Sequence, residues 1–301
     1  MDLYQIIKKL ETLNIELRAN EPMSRHTSFK IGGPVDLMIF PKSTEETEAL
    51  VPVLRQECAD TIIIGKGTNL LASDEPIHKV AVKTFDGLGV MRPLGDSCIA
   101  ADSGVLLSRS ALLAREMELT GMEFAHGIPG TLGGAITMNA GAYGGQMADI
   151  IKSVTFLDEN GRRQEWGKDK LDFAYRHSIF CDNDYIILGA SLELARGDGA
   201  EIKNRMDHFA RKRRESQPLN LPSAGSTFKR PKTGYAAALI EQAGLKGYTI
   251  GGAQVSGKHS GFVVNLGEAS FNDVCQVMEH VSRTVFDKFG VQLLPEVKII
   301  Q

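Results

Sequence analysis

Apolar residues recur along this chain with two periods, one helical and one alternating. Leu3, Ile6, Ile7, Leu10 and Leu13 share one face of a predicted helix. Residues 35–40, behind the turn Ile31-Gly32-Gly33-Pro34, predict a strand. Ser43 and Glu46 form a capping-box pattern that opens a helix carrying Leu50, Val51 and Leu54. Residues 61–64 predict a buried strand, and residues 78–84 and 98–102 two more. Residues 105–119 predict a helix with Leu106, Leu107, Leu112, Leu113 and Met117 on its apolar side. Asn160-Gly161 between residues 153–158 and 163–166 predicts a hairpin, followed by a strand over 185–195. The last third predicts helices over 201–214, 235–243 and 270–289, the latter two stopped by Gly244 and Gly290. A strand over 262–265 and a terminal strand complete it. Helices and strands alternate unevenly, which points to an α+β fold instead of a doubly wound sheet.

One stretch breaks both periods. Residues 121–145 read GMEFAHGIPGTLGGAITMNAGAYGG, with eight glycines in twenty-five positions. No formal charge appears from Gly127 to Ala148, but Pro129, Thr131, Thr137, Asn139 and Gln146 argue against a membrane helix. Phe124, Ile128, Leu132, Ile136, Met138 and Tyr143 argue equally against a flexible linker. The expectation is a packed loop whose backbone takes left-handed angles or runs very close to another group. Its buried amides need partners, and phosphate oxygens are the usual ones at this glycine density.

Composition narrows the classes. At 301 residues the chain is long enough for two or three domains, with a composition break near Gly197. With 34 basic and 37 acidic residues there is no field to hold a nucleic-acid backbone. The four cysteines, Cys58, Cys98, Cys181 and Cys275, lie far apart without metal-ligand spacing, so no metal site or disulfide framework is indicated and a reducing cytoplasm fits. The first residues carry Asp2 and lack the continuous apolar core of a signal peptide.

A second glycine segment follows the strand at 61–64. Gly65-Lys66-Gly67-Thr68-Asn69-Leu70 begins like a dinucleotide fingerprint, but Leu70 stands where its third glycine belongs. A Rossmann phosphate loop is not supported, and there is no P-loop. Two glycines and Thr68 can still offer amides and a hydroxyl to a pyrophosphate, although an ordinary tight turn explains them as well.

Five segments in order resemble one family: IGKGTNLL at 64–71, HGIPGTLGGAITMNAGAYGG at 126–145, YRHS at 175–178, SAGSTFKRP at 223–231 and PEV at 295–297. They are similar to the UDP-N-acetylenolpyruvoylglucosamine reductases, flavoenzymes that complete UDP-N-acetylmuramate for bacterial peptidoglycan. The chain resembles the compact branch of that family. The resemblance implies a two-subdomain FAD-binding region of the vanillyl-alcohol oxidase type at 1–75 and 76–197, followed by a substrate-binding domain at 198–301. It implies noncovalent FAD, NADPH as hydride donor, a UDP-sugar substrate, a monomer, and no nucleic-acid or membrane partner.

The resemblance also implies residue roles. Ile64, Gly65, Lys66, Gly67, Thr68, Asn69 and Leu70, with Gly127, Pro129, Gly130, Gly133, Gly134, Asn139 and Ala140, would hold FAD. Arg176 would face the substrate carboxylate, Ser226 would donate a proton, and Glu296 would sit beside the same centre. Tyr175, Lys229 and Arg230 would contact substrate, Arg230 standing where many relatives have asparagine. His126, which relatives among the oxidases could suggest as a flavin attachment point, would stay unlinked. Without the family pattern, Ser226 reads as a turn residue, Arg176 as a surface charge and Glu296 as a strand-edge carboxylate. Arg211 to Arg214 read as a solvated helix end, with a UDP-phosphate contact as the alternative, and Tyr143 and Phe124 as packing groups. A sugar-alcohol oxidase on the same flavin fold, or a nucleotide-binding module without chemistry, are the competing classes.

Overall fold

The computed structural model describes residues 1–301. The chain divides into two compact units, one of residues 1–19, 37–66 and 79–212 and another of residues 20–36, 67–78 and 213–301.

In the first unit, helix α1 (Leu3–Thr12) starts where the Asp2 side chain accepts the Gln5 amide at 3.2 Å. Helix α2 (Thr44–Gln56) starts on Ser43, whose hydroxyl accepts the Glu46 amide at 3.2 Å. The Glu46 carboxylate takes the Lys42 amide at 2.8 Å, so the expected reciprocal bond is shifted one residue upstream. A four-stranded sheet runs in the order Glu16–Pro22, Pro34–Phe40, Ile77–Lys83, Thr61–Ile64. Leu37, Ile39, Val80 and Val82 from that sheet share a core with Ile6 and Leu10 of α1 and Leu50 and Leu54 of α2. Thr61–Ile64 is not the buried strand expected from its composition. It pairs only with Ile77–Lys83, in parallel, and Ile63 is 40% exposed. An edge strand has one bonded neighbour, so its apolar character does not guarantee burial.

The first unit also holds an antiparallel five-stranded sheet in the order Arg163–Gly167, Ile151–Leu157, Ile186–Glu193, Cys98–Asp102, Met91–Pro93. Helix α3 (Leu107–Glu116) and the short helix α4 (Leu132–Thr137) bury Leu107, Ala111, Leu132 and Ile136 with Ile99, Phe156 and Leu192 of this sheet. Helix α4 lies inside the stretch expected to be a loop throughout. Thr131 caps it, accepting the Gly134 amide at 3.5 Å, a signal that the surrounding glycines obscure. No helix is long and apolar enough to cross a membrane. Helix α5 (Gly199–Ser216) is anchored by Arg205, which meets the buried Glu123 carboxylate at 2.7 Å.

In the second unit, helices α6 (Ala236–Gln242) and α7 (Phe271–Phe289) pack with a three-stranded sheet of order Thr249–Ile250, Ala253–Val255, Val263–Asn265. A capping box of Ser270 and Asp273 opens α7, and Gly290 closes it at φ 68°. Val274, Val277, Val281 and Val285 of α7 bury against a core that includes Phe29, Ile31 and Leu71. Strand Leu70–Ala72 pairs in parallel with Lys298–Ile300. These early residues therefore fold with the last third of the chain. The compact units are interleaved, whereas the segments 1–75, 76–197 and 198–301 were laid end to end, and the break falls inside α5 after Lys212, beyond the composition change at 197. Composition does not register a pairing between residues some two hundred positions apart.

Candidate active site

Two of the glycines singled out from sequence lie close against other segments of the first unit. A Cβ placed on Gly65 would lie 2.3 Å from the Thr131 hydroxyl oxygen, and one on Gly133 would lie 2.9 Å from the Ser103 Cβ. Neither glycine has a left-handed φ, so close approach is the reason for glycine here. Ile64, buried, ends its strand with its carbonyl accepting the Thr84 amide at 2.9 Å. The Leu132 amide donates to the Val105 carbonyl and the Gly133 amide to the Ser103 carbonyl, each at 2.8 Å. The Gly130 carbonyl accepts from the Leu107 amide at 3.0 Å. Those two amides, which the sequence reading turned toward phosphate, are committed inside the protein.

Beside these backbones lies a cavity of about 350 Å³, lined by Gly65, Thr84, Ser103, Gly133, Gly134 and Thr137 and by Ile63, Ile186 and Ile187. The Thr137 hydroxyl donates to the Gly133 carbonyl at 3.0 Å and the Thr84 hydroxyl to the Ile64 carbonyl at 3.5 Å. The Ser103 hydroxyl is buried and has no hydrogen-bond partner. Arg55, Asp60, Asp158 and Asp184 also line the cavity, with Asp60 paired to Lys79 and Asp184 to Arg55. The glycine-cleared wall around the uncommitted Ser103 donor, continuous with apolar isoleucines, fits part of a ligand that carries phosphate and a flat apolar ring system, as FAD does. Lys66 is exposed, its ammonium 5.8 Å from the Phe85 ring centroid, and Pro129 is exposed while Gly127 is half-buried. Lys83, opposite Ile64 in the sheet, is buried; burial lowers its pKa and Asp86 opposes the shift. His126 is held toward its neutral form by burial and by Arg115, against Asp207.

The other end of the glycine stretch scaffolds Arg176. Ala174 and His177 exchange backbone hydrogen bonds of 3.1 and 3.2 Å, making a two-residue turn with Tyr175 and Arg176 at its tip and Arg176 at φ 55°. The Asn139 side chain donates to the Ala174 carbonyl at 2.9 Å and to the Gln146 side chain at 3.1 Å, and accepts the Ala148 amide at 2.9 Å. Ser178 donates to the Thr137 carbonyl at 2.8 Å, and the Arg176 guanidinium to the Gly141 carbonyl at 3.2 Å. Ala140 donates to the Ala135 carbonyl at 2.8 Å. Tyr175 is exposed and its ring lies 5.1 Å from the Arg176 guanidinium carbon. Asn139 is 2% exposed and its side chain is fully used in tying these segments. Asn139→Ala is expected to lower unfolding stability by about 2 kcal/mol or more, since it orphans buried groups and replaces asparagine, which tolerates left-handed backbone, with alanine at φ 39°. Chemical denaturation measures this, and an unchanged midpoint would show that the side chain ties nothing.

In the second unit Ser226 and Glu296 lie on neighbouring backbones. Gly225, at φ 77°, precedes Ser226, and Ser226 pairs across an isolated bridge with Phe262. Thr227 donates its amide to the Gly261 carbonyl at 2.9 Å, accepts the Val263 amide on its hydroxyl at 2.9 Å, and accepts the Glu296 amide on its carbonyl at 2.8 Å. Thr227 and Val297 are buried, while Ser226 is exposed and Glu296 half-buried. Ser226 and Glu296 thus keep solvent access while the residue after each is buried. Asn69 donates from its side chain to the Glu296 carbonyl at 3.2 Å and accepts the Lys298 amide at 2.9 Å, which ties the 67–70 segment to the same place. A Cβ on Gly67 would meet the His26 carbonyl oxygen at 1.9 Å. Thr68 is half-buried, and Leu70 begins the strand that pairs with Lys298–Ile300. Lys229 donates its amide to the Leu294 carbonyl at 2.8 Å; the Arg230 guanidinium lies 4.1 Å over the Tyr235 ring.

Sequence reasoning missed Ser103, Thr131 and Ile63. The strand-then-glycine pattern that flagged residues 61–67 recurs in the strand Cys98–Asp102 followed by Ser103-Gly104, and could have flagged Ser103. Tyr143, expected to pack in the interior, is 39% exposed and stacks on Phe209 at 4.5 Å with the rings 4° apart.

Comparison with known proteins bears on this geometry. A family model described as the C-terminal domain of UDP-N-acetylenolpyruvoylglucosamine reductase matches residues 217–300, and one described as an FAD binding domain matches residues 35–167. The UDP-N-acetylenolpyruvoylglucosamine reductase of Caldanaerobacter subterraneus subsp. tengcongensis is 50% identical over 297 residues, covering 98% of each chain. The chain belongs to the UDP-N-acetylenolpyruvoylglucosamine reductase family. As a member, it is an FAD-dependent oxidoreductase. The crystal structure of UDP-N-acetylenolpyruvylglucosamine reductase from Thermus caldophilus superimposes with a TM-score of 0.79 at 29% identity, covering 95% of this chain and 99% of that one. At the level of fold alone the likeness reaches berberine bridge enzyme, with a TM-score of 0.51 at 14% identity over 66% of this chain and 44% of the other. The α+β class with an FAD-binding region of the vanillyl-alcohol oxidase type agrees with both.

Proposed function

We propose that the protein reduces the enolpyruvyl group of UDP-N-acetylglucosamine enolpyruvate to give UDP-N-acetylmuramate, with NADPH as reductant, as a cytoplasmic step of peptidoglycan synthesis. The observation that carries this reading is the 50% identity, over 98% of both chains, to a reductase of that name. Bound FAD supplies the hydride. The chain's own residues supply charge and a proton. As hydride reaches one carbon of the enol ether, negative charge builds on the carboxylate side. Arg176, an always-charged fork of donors, is assigned to that carboxylate, where it stabilises charge that grows along the reaction. Ser226 is assigned as proton donor to the other carbon, with Glu296 beside it. The exposure of Ser226 and the backbone adjacency of the two support this pairing. Gly65, Gly133, Gly134 and the wall around Ser103 are assigned to FAD, and Tyr175, Lys229 and Arg230 to the UDP-sugar. Domain roles follow the same proposal, with FAD contacts assigned within residues 1–197 and substrate contacts to residues 198–301 together with Tyr175 and Arg176.

The test is anaerobic stopped-flow on the purified protein. NADPH is expected to bleach the flavin absorbance, and one equivalent of the enolpyruvyl sugar to restore it with formation of the lactyl ether. A colourless protein that takes up no FAD, or one that makes peroxide from a sugar alcohol and leaves the enolpyruvyl sugar untouched, would end the proposal.

A further inference from the structure

The wall of the first-unit cavity contains five side-chain hydroxyls, and four of them are committed. Thr137 donates to the Gly133 carbonyl, Thr84 to the Ile64 carbonyl and Thr61 to the Ala59 carbonyl, and Tyr185 bonds the Glu159 side chain. The fifth, Ser103, is 1% exposed and its oxygen has no partner. Its surroundings are rigid. The Ser103 amide donates to the Leu188 carbonyl and its own carbonyl accepts the Gly133 amide, each at 2.8 Å. Gly133 must be glycine for its backbone to come so near, and a Cβ on the adjacent Gly104 would lie 2.2 Å from the Thr84 carbonyl oxygen. A buried donor left without a partner destabilises the folded state, so buried hydroxyls in folded proteins are almost always bonded. Here two backbone hydrogen bonds hold Ser103 in place, and its side chain lines the cavity, from which a partner can arrive.

The chemistry of the wall says what that partner is. The Leu132 and Gly133 amides are already spent on protein carbonyls, so the hydroxyl is an uncommitted donor between the two glycine segments. An anionic oxygen is the acceptor that gains most from such a site, because a hydrogen bond to a charged group is stronger than one between neutral groups. We propose that Ser103 donates a hydrogen bond to a pyrophosphate oxygen of bound FAD, an assignment that rests on the flavoenzyme reading above. Nothing in the proton-donating machinery involves it. Ser103 sits in the first unit with Gly65 and Gly133, apart in sequence from Ser226 and Glu296.

The full-length chain, loaded with FAD and then stripped of it, tests this with Ser103→Ala. Flavin fluorescence and calorimetry give the dissociation constants for FAD and for ADP, which carries a pyrophosphate without the flavin. Both are expected to weaken by about tenfold or more. The melting temperature of the stripped variant is expected to equal or exceed that of the stripped wild type, because alanine removes a donor that nothing satisfies. Unchanged dissociation constants would overturn the proposal, and so would weaker FAD binding with ADP binding intact. A stripped variant that melts lower would point to a structural hydroxyl and overturn it too. Failure of the wild-type chain to take up FAD is a separate result, which would remove the flavoenzyme reading and this contact with it.

Discussion

The Ser226→Ala protein is expected to be reduced by NADPH at a rate within about twofold of the unaltered enzyme, while its reoxidation by the enolpyruvyl sugar slows at least ~100-fold. The split follows from where the hydroxyl is needed. Flavin reduction requires no proton on the substrate carbon, whereas reoxidation does, and a positioned general acid contributes about 10² to 10⁴ in rate. The variant should fold normally, because the segment is held by its neighbours. Thr227 bonds Gly261 and Val263 on one side and Glu296 on the other, and Phe228 pairs with Pro295. Ser226 itself is exposed. Ser226→Cys keeps a transferable proton and should recover part of the lost rate. Equal slowing of both half-reactions in the alanine variant would remove the serine from the proton-donor role.

Gly65→Ala is expected to weaken FAD binding by about 10- to 100-fold, the scale of forcing one carbon into a filled site. The added methyl would arrive 2.3 Å from the Thr131 hydroxyl oxygen, which itself caps α4. Either the 64–66 backbone withdraws or the start of α4 shifts, and both border the cavity through Gly65, Gly133 and Gly134. The clash names its own suppressor. Thr131→Ala removes the colliding oxygen, so Gly65→Ala with Thr131→Ala should bind FAD more tightly than Gly65→Ala alone, although the single Thr131→Ala loses a helix cap. Titration of the four proteins with FAD closes the cycle. Strictly additive effects would mean that the two residues do not meet.

Much of the scaffold was legible because single residues carry local rules. The face of Ile6 and Leu10, the cap at Ser43, the Asn160-Gly161 hairpin and the stop at Gly290 all occur where the pattern puts them. The interleaving of residues 20–36 and 67–78 with the last third was not, since Phe29 and Leu71 look like any apolar residues until their partners Val277 and Val281 are known. The glycine-rich stretch was read correctly as a place of left-handed angles, at Gly121 and Gly144, and of close approach, at Gly133, but the left-handed angles at Asn139 and Tyr143, and at Arg176 beyond the stretch, were not foreseen. Asparagine tolerates that region, but nothing in the letters marks a tyrosine or an arginine that must enter it. Ser103 escaped notice for a related reason: a lone serine after a strand is ordinary, and its missing partner exists only in three dimensions.

The strand pair formed by residues 70–72 and 298–300 has a consequence for biosynthesis. Asn69 is held by groups 227 positions downstream, at the Glu296 carbonyl and then at Lys298. On a translating ribosome the early strand therefore waits for its mate, for roughly 10 to 45 s at ordinary elongation speeds. During that interval the apolar residues Phe29, Ile31 and Leu71 have no core of their own to enter. Nascent chains of this protein should accordingly depend on holding chaperones until the final strand has left the exit tunnel.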